Sequence, residues 1–150
     1  MTDLNRGRFE RNPAVFLENV IKEFVADRSI NYLQSFNGDR IFNEPLIGFA
    51  DGDDTIFHDY KEIIGKFHLT PREALEKHLE AKVSEDELRP ARVSVVSFVL
   101  PATYKTRLSE RRETVIPSLR WNHTRHQGQD LINKLSLCLI ALFEDLGYQA

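Results

Sequence analysis

Cysteine is nearly absent from this sequence: the 150 residues hold one, Cys138. No intrachain disulfide can form, which points to a reducing compartment. Long apolar runs are also missing. The longest, Val93 to Leu100, is too short to span a bilayer and contains Ser94 and Ser97. The opening residues Met1-Thr2-Asp3-Leu4-Asn5-Arg6 lack the apolar core of a signal peptide. Together these features lead to the expectation of a cytoplasmic chain with no membrane partner. The charge balance has little excess of either sign, 20 bases against 23 acids. A net charge of −3 excludes a whole-surface field for nucleic acid or lipid. The sequence has no glycine-rich phosphate loop, no Gly-x-Ser-x-Gly elbow and no His-Glu-x-x-His pair. It has no internal repeat and no low-complexity tract. The chain therefore carries no complete catalytic motif, and by itself it is expected to be non-catalytic.

What is present is a globular composition, 41% hydrophobic and 29% charged, long enough for one domain over residues 1–150 with a core of its own. The charge is unevenly spread. Seven acids (Asp39, Glu44, Asp51, Asp53, Asp54, Asp59, Glu62) face only Arg40 and Lys61 in the stretch 39–62. Six bases (Lys105, Arg107, Arg111, Arg112, Arg120, Arg125) face only Glu110 and Glu113 in the stretch 105–126, to which His123 and His126 add.

Apolar spacing and cap chemistry predict the elements. Asn12-Pro13 opens a helix over 13–26, with Phe16, Leu17, Val20, Ile21 and Phe24 on one side. Residues 28–54 hold turn chemistry at Asn37-Gly38-Asp39, Glu44-Pro45 and Asp51-Gly52-Asp53-Asp54, and read as mostly irregular. A short helix from Ile56 ends near Gly65. Thr70-Pro71-Arg72-Glu73 is a capping box opening a helix over about 70–81, with Leu75 and Leu79 inward. The polar stretch Ser84–Arg89 and Pro90 follow. Residues 92–100 are apolar on both alternating faces, the pattern of a central buried strand that Pro101 ends. Residues 103–112 read as a basic helix, 113–127 as a polar loop, and 129–146 as the strongest helix, ending at Gly147. The fold class is α+β: a small mixed sheet around the strand at about 92–100, packed by helices at about 13–26, 70–81 and 129–146. Strand, crossover and long helix make most of a β-α-β unit. A next strand is expected from Tyr148 or Gln149, and with it a chain continuing past Ala150.

The best candidate site is Arg120, Trp121, His123, Arg125 and His126, placed just before the expected start of the long helix. A helix N-terminus with Arg and His nearby favours an anion, and Trp121 offers a flat face for a ring. The bland alternative pairs Arg120 and Arg125 with acids of the 39–62 stretch and places Trp121 in the core. A metal at His123 and His126 needs a further donor, such as His58, Asp51, Asp53 or Asp54, and no zinc-type spacing is completed, so none is assigned. Asp51-Gly52-Asp53-Asp54 fails the calcium-loop pattern and reads as turn and cap. Cys138 reads as a buried packing cysteine.

Two series of residues carry a resemblance. One is Val96-Ser97-Phe98-Val99-Leu100-Pro101, Pro117-Ser118, Trp121, Thr124-Arg125, Gly128 and Leu146-Gly147-Tyr148-Gln149-Ala150. The other is Pro45-Leu46-Ile47-Gly48-Phe49-Ala50-Asp51-Gly52-Asp53-Asp54 with Phe67-His68-Leu69-Thr70-Pro71-Arg72-Glu73. Both resemble the N-terminal part of prokaryotic 4Fe-4S proteins of the epoxyqueuosine-reductase-like family, over residues 10–150. The resemblance implies the N-terminal domain of a longer iron–sulfur oxidoreductase, contributing to a cofactor or substrate cleft. In that family a downstream ferredoxin-like segment supplies cluster cysteines, and the best-known relatives use the cluster with a corrinoid to reduce an epoxide on a modified tRNA base. Here Cys138 alone cannot ligate a 4Fe-4S cluster. The implied partners are thus a C-terminal ferredoxin-like domain or a separate iron–sulfur protein, with tRNA and a second copy of the chain as further partners. No catalytic residue carries over. The alternative from another class is a non-enzymatic anion- or RNA-binding module, or a partner-docking one, built on the basic segment 105–126.

Overall fold

The computed structural model describes residues 3–80 and 91–150. Among them, helices α1 (Asp3–Arg11), α2 (Pro13–Ala26), α3 (Ile56–Ile63), α4 (Pro71–Leu79), α5 (Tyr104–Arg111) and α6 (Leu119–Leu146) accompany strands β1 (Leu46–Asp51) and β2 (Ser94–Val99). The fold is α+β, as the patterning indicates. The expected end of the helix at Ala81, the stretch Ser84–Arg89 and Pro90 lie outside the described residues. Contacts gather into two compact units, one drawn from Met1–Leu46 and Phe98–Ala150, the other from Ile47–Ser97.

In the first unit, α2 begins as its sequence dictates. The Asn12 side chain accepts from the Val15 amide at 3.2 Å, and Pro13 occupies the first turn, where its missing N–H costs nothing. Phe16, Leu17, Ile21 and Val25 are buried along one face. Each such side chain contributes about 1.5–3 kcal/mol when fully removed from water. Helix α1 packs on α2, and Phe9 meets Phe16 edge-on at 5.8 Å. Its polar run Asp3–Arg11 carries no apolar period by which sequence could have marked it.

Segment 28–45 is irregular but tightly fixed by Asn31, which is fully buried. Its amide donates to the carbonyls of Val25 and Phe42, both at 2.9 Å. Its carbonyl accepts from the amides of Ile41 and Phe42 at 3.0 and 2.9 Å. One side chain thus ties the end of α2 to residues 41–42, replacing the ladder that this stretch lacks. Residues 41–42 then lie against α6 at Gly128. A Cβ built there would stand 2.6 Å from Phe42 Cζ, so only glycine allows this approach.

Helix α6 starts ten residues earlier than the expected 129, at Leu119. The anticipated loop 113–127 is a loop only through Ser118. Thr124, Gly128, Leu131, Leu135, Leu139 and Leu146 form its buried stripe. Packing of Thr124 and Gly128 holds in helix a polar run that propensity alone leaves undecided. Cys138 is exposed, contrary to the reading of a buried cysteine, because it sits beside this narrow stripe rather than on it. Gly147 ends the helix at φ 88°. No strand begins at Tyr148: its amide caps α6 on the Phe143 carbonyl, and its ring meets Phe9 at 5.8 Å.

The second unit holds most of the sheet. Here the expectation of a central buried strand in a mixed sheet is corrected. Among the described residues the sheet has two antiparallel strands, and no residue of β2 is buried. With one neighbour among the described residues, β2 is an edge there, and its two apolar faces stay partly open. The stretch Leu46–Asp51, expected to be irregular, is its partner. Helix α4 opens on the predicted capping box: Glu73 N–H donates to Thr70 Oγ1 at 3.3 Å, and Thr70 N–H donates to Glu73 Oε2 at 2.9 Å. Lys61 reaches Glu73 at 2.6 Å, and Arg72 grips Asp53 with two nitrogens at 2.6 and 2.7 Å.

Candidate functional site

The five residues singled out by sequence lie in the first turns of α6, not ahead of it. The helix N-terminus is at Ser118, and it is already occupied. Ser118 Oγ accepts from the Trp121 amide at 3.1 Å, and the Ser118 amide donates to Glu110 Oε2 at 2.9 Å. A carboxylate of the chain itself sits where an anion was expected.

Arg120 is held inward, its side chain 11% exposed. Its Nη2 donates to Asp39 Oδ2 at 3.0 Å, its Nε donates to Thr106 Oγ1 at 3.2 Å, and its Cζ lies 4.9 Å from the centre of the Phe36 ring. Lys105 Nζ reaches both Asp39 oxygens at 3.0 Å. Lys105, and then Arg120, hold the Asp39 carboxyl below its ordinary value. Behind this pair runs a chain of hydroxyls, Thr103 to Thr106 to Thr124, each link 3.2 Å. The pairing of Arg120 with an acid of the 39–62 stretch is therefore the observed one.

His123 meets the Phe36 ring edge-on at 5.6 Å. Gln127 Oε1 accepts from the Gln34 amide at 3.2 Å, which turns its NH2 group toward His123 Nδ1, also at 3.2 Å. Trp121 is half-buried, while Arg125 and His126 are exposed. The structure thus splits the set: Arg120 and His123 clamp segment 34–39 onto α6, and Arg125 and His126 face solvent. Asp39, Phe36, Lys105 and Thr106 complete the clamp. For Asp39 and Lys105 sequence offered only the acidic stretch 39–62 and the basic segment 105–126, and for Phe36 and Thr106 it offered no signal.

Among the described residues, no three His, Cys, Asp or Glu side chains converge as metal donors, and no helix is long and apolar enough to cross a membrane. A 4Fe-4S cluster needs more thiolates than the one that Cys138 provides, so the chain's own residues do not fit that cofactor. A small cavity of about 180 Å³ is lined by Lys22, Val25, Ala26, Arg40, Glu44 and Pro45. Its cations are engaged: Lys22 with Glu18 and Glu44 at 2.8 and 3.0 Å, and Arg40 with the Ala26 carbonyl at 3.2 Å.

The most open feature of this unit is the turn between α5 and α6. Val115, Ile116 and Leu119 are 91%, 69% and 67% exposed. Arg111 and Arg112 precede them, exposed, with no carboxylate of the described residues in ion-pair contact. The turn is apolar at its tip, and at its base Arg111 and Arg112 stand between Glu110 and Glu113. No family model, no curated protein and no solved structure matches this chain. What defines it is its architecture: an α+β chain whose α5 and α6 are clamped to segment 34–39 and joined by an exposed apolar turn.

Proposed function

We propose that this chain works by docking rather than by catalysis, and that the α5–α6 turn is its contact surface for an acidic, partly apolar partner. One observation carries the reading: Val115, Ile116 and Leu119 stand in solvent just after Arg111 and Arg112, two arginines that no described carboxylate engages. Scattered exposed apolar residues are ordinary, but three within five positions, two in the turn and one at the start of α6, form a cluster that supports an interaction site. Aliphatic side chains there favour a protein surface over nucleic acid, whose bases stack on aromatic rings. The polar groups of α6 around Arg120 are spent on holding the fold.

The two series that resemble the epoxyqueuosine-reductase-like family favour a second, compatible reading. In it the chain is the N-terminal body of an iron–sulfur oxidoreductase, and the docked partner is the cluster-bearing domain or protein, which supplies the 4Fe-4S and corrinoid groups. The notion of an anion or RNA site at Arg125 and His126 competes with both.

The test is binding of a labelled acidic amphipathic peptide of Glu and Leu, and of a short single-stranded RNA, read by fluorescence anisotropy over a salt series. The peptide is expected to bind, with affinity falling several-fold as salt rises from about 0.05 to 0.3 M. The double substitution Arg111→Glu/Arg112→Glu is expected to abolish it. Tighter binding of the RNA with a steep salt slope would replace docking by nucleic-acid binding. Binding of neither probe would overturn the proposal.

A further inference from the structure

The α5–α6 turn carries a hydroxyl that docking does not use. Its residues read Arg111-Arg112-Glu113-Thr114-Val115, so Thr114 follows one arginine by three positions and another by two. No other serine or threonine of the sequence has bases at both of those positions. Ser94 and Ser109 come nearest, each with one arginine two positions before it. Ser109 is half-buried and its hydroxyl is engaged: it donates to the Thr106 carbonyl at 2.8 Å and meets Ser118 Oγ at 3.1 Å. Ser94 opens strand β2, where the sheet fixes its backbone.

Thr114 is placed where a modifying enzyme can reach it. It is exposed, as are Arg111, Arg112, Glu113, Val115 and Ile116. Residues 114–117 belong to neither helix nor strand, and no backbone hydrogen bond among the described residues holds Thr114, Val115 or Ile116. Both ends of the turn are pinned, and Glu110 pins them. Its carbonyl accepts from the Glu113 amide at 3.0 Å, and its carboxylate accepts from the Ser118 amide at 2.9 Å. A segment fixed at its ends and unbonded between them is drawn into an extended shape without unfolding α5 or α6. An enzyme that modifies side chains takes its substrate in that shape, and an acid-lined cleft reads the two arginines.

We infer that Thr114 is a phosphorylation site for an arginine-directed protein kinase, and that its modification switches docking at the α5–α6 turn off. In the step, Thr114 Oγ1 attacks the γ-phosphorus of ATP and forms the new O–P bond. The bond from that phosphorus to the β,γ-bridging oxygen breaks, ADP leaves with the electron pair, and the hydroxyl proton passes to the base of the kinase. Unmodified, the turn balances Arg111 and Arg112 against Glu110 and Glu113. Phosphothreonine adds about −1.5 to −2 charges at neutral pH. Three residues span about 10 Å even when extended, so the phosphate lies within side-chain reach of both guanidiniums. It takes them in charge-assisted hydrogen bonds and sets a dianion beside Val115. Both changes oppose an acidic, apolar partner. The switch rests on the docking reading above, whereas the choice of Thr114 rests on the turn alone.

The experiment treats the full native chain with ATP and the catalytic domain of a kinase that selects arginines two and three positions before its acceptor. A synthetic peptide of residues 108–118 serves as the fully accessible reference. Mass spectrometry of fragments locates the phosphate, and the acidic amphipathic peptide is titrated by fluorescence anisotropy before and after. Thr114 of the native chain is expected to be labelled within about tenfold of the rate of the reference, and about tenfold or more faster than Ser94 or Ser109. Thr114→Val is expected to take no phosphate there and to bind the acidic peptide like the wild type. The phosphorylated chain is expected to bind it about tenfold or more weakly, and a phosphatase to restore binding. Three results would each overturn the inference: a reference that is labelled while Thr114 of the native chain is not, a label that falls on Ser94 or Ser109 first, or a Thr114-phosphorylated chain that binds as tightly as before. The two levels separate cleanly. An unmodified chain that binds no acidic peptide removes docking, and the switch with it, whereas Thr114 as the acceptor stands or falls on the position of the label.

Discussion

Asp39 and Arg120, 81 residues apart in sequence, lie 3.0 Å apart, and this contact locks the irregular segment 34–39 onto the first turn of α6. It also makes the fold sensitive to acid. Lys105 and Arg120 depress the Asp39 carboxyl below its ordinary value near 3.8, so the folded chain resists a proton that the unfolded chain accepts. The stabilisation is complete above that value and is lost as pH falls toward the depressed one. Urea titrations between about pH 6 and pH 3 are expected to show stability steady at first and then falling below about pH 4. Asp39→Asn is expected to be less stable at pH 6 and to show a shallower acid slope. An unchanged slope would mean that the pair does not couple to folding.

Asn31 is the second structural hinge of this region. Asn31→Leu keeps the volume roughly but removes four hydrogen bonds at once, leaving the Ile41 and Phe42 amides and the Val25 and Phe42 carbonyls without their partner. A loss of about 3 kcal/mol or more is expected from chemical denaturation. A loss under about 1 kcal/mol would show that water takes over the role.

Gly128→Ala sets two effects against each other. Alanine raises helix propensity by about 1 kcal/mol. Its Cβ, however, would sit 2.6 Å from the buried Phe42 ring. Overpacking of this kind costs about 1–3 kcal/mol, so a net loss is expected in a thermal melt. A stabilised variant would mean that the ring moves freely aside.

The exposure of Cys138 is directly checkable. In the native state its thiol is expected to react with an aromatic disulfide reagent within about tenfold of the rate in denaturant. Cys138→Ser is expected to change stability by less than about 0.5 kcal/mol, as at other surface positions. A thiol that reacts only after unfolding would restore the buried reading.

Sequence revealed those elements that local chemistry decides. Asn12-Pro13 and Thr70–Glu73 are cap motifs made of neighbours in the chain, and both helices start where those motifs place them. Gly147 ends α6 for the same reason. The start of α6 was not legible, because Arg120–Gly128 is polar and holds a glycine that helps only once Phe42 lies against it. The apolar run of β2 reads as a buried strand, since periodicity reports which side chains are apolar and not whether anything covers them. In the candidate site, Arg120 and the acidic stretch were legible as charges. Their pairing through Asp39, the clamp on Phe36 and His123, and the capping of Ser118 by Glu110 depend on contacts between distant segments. The exposure of Val115 and Ile116 has no sequence signature at all.

The most direct test of the docking account compares two double variants for binding of the acidic amphipathic peptide. Arg111→Glu/Arg112→Glu alters the α5–α6 turn, and Arg125→Glu/His126→Glu alters the exposed part of the α6 site. The account predicts that the first loses binding by about tenfold or more while the second stays within about twofold of the wild type. The reverse order would contradict it and return the function of this chain to Arg125 and His126.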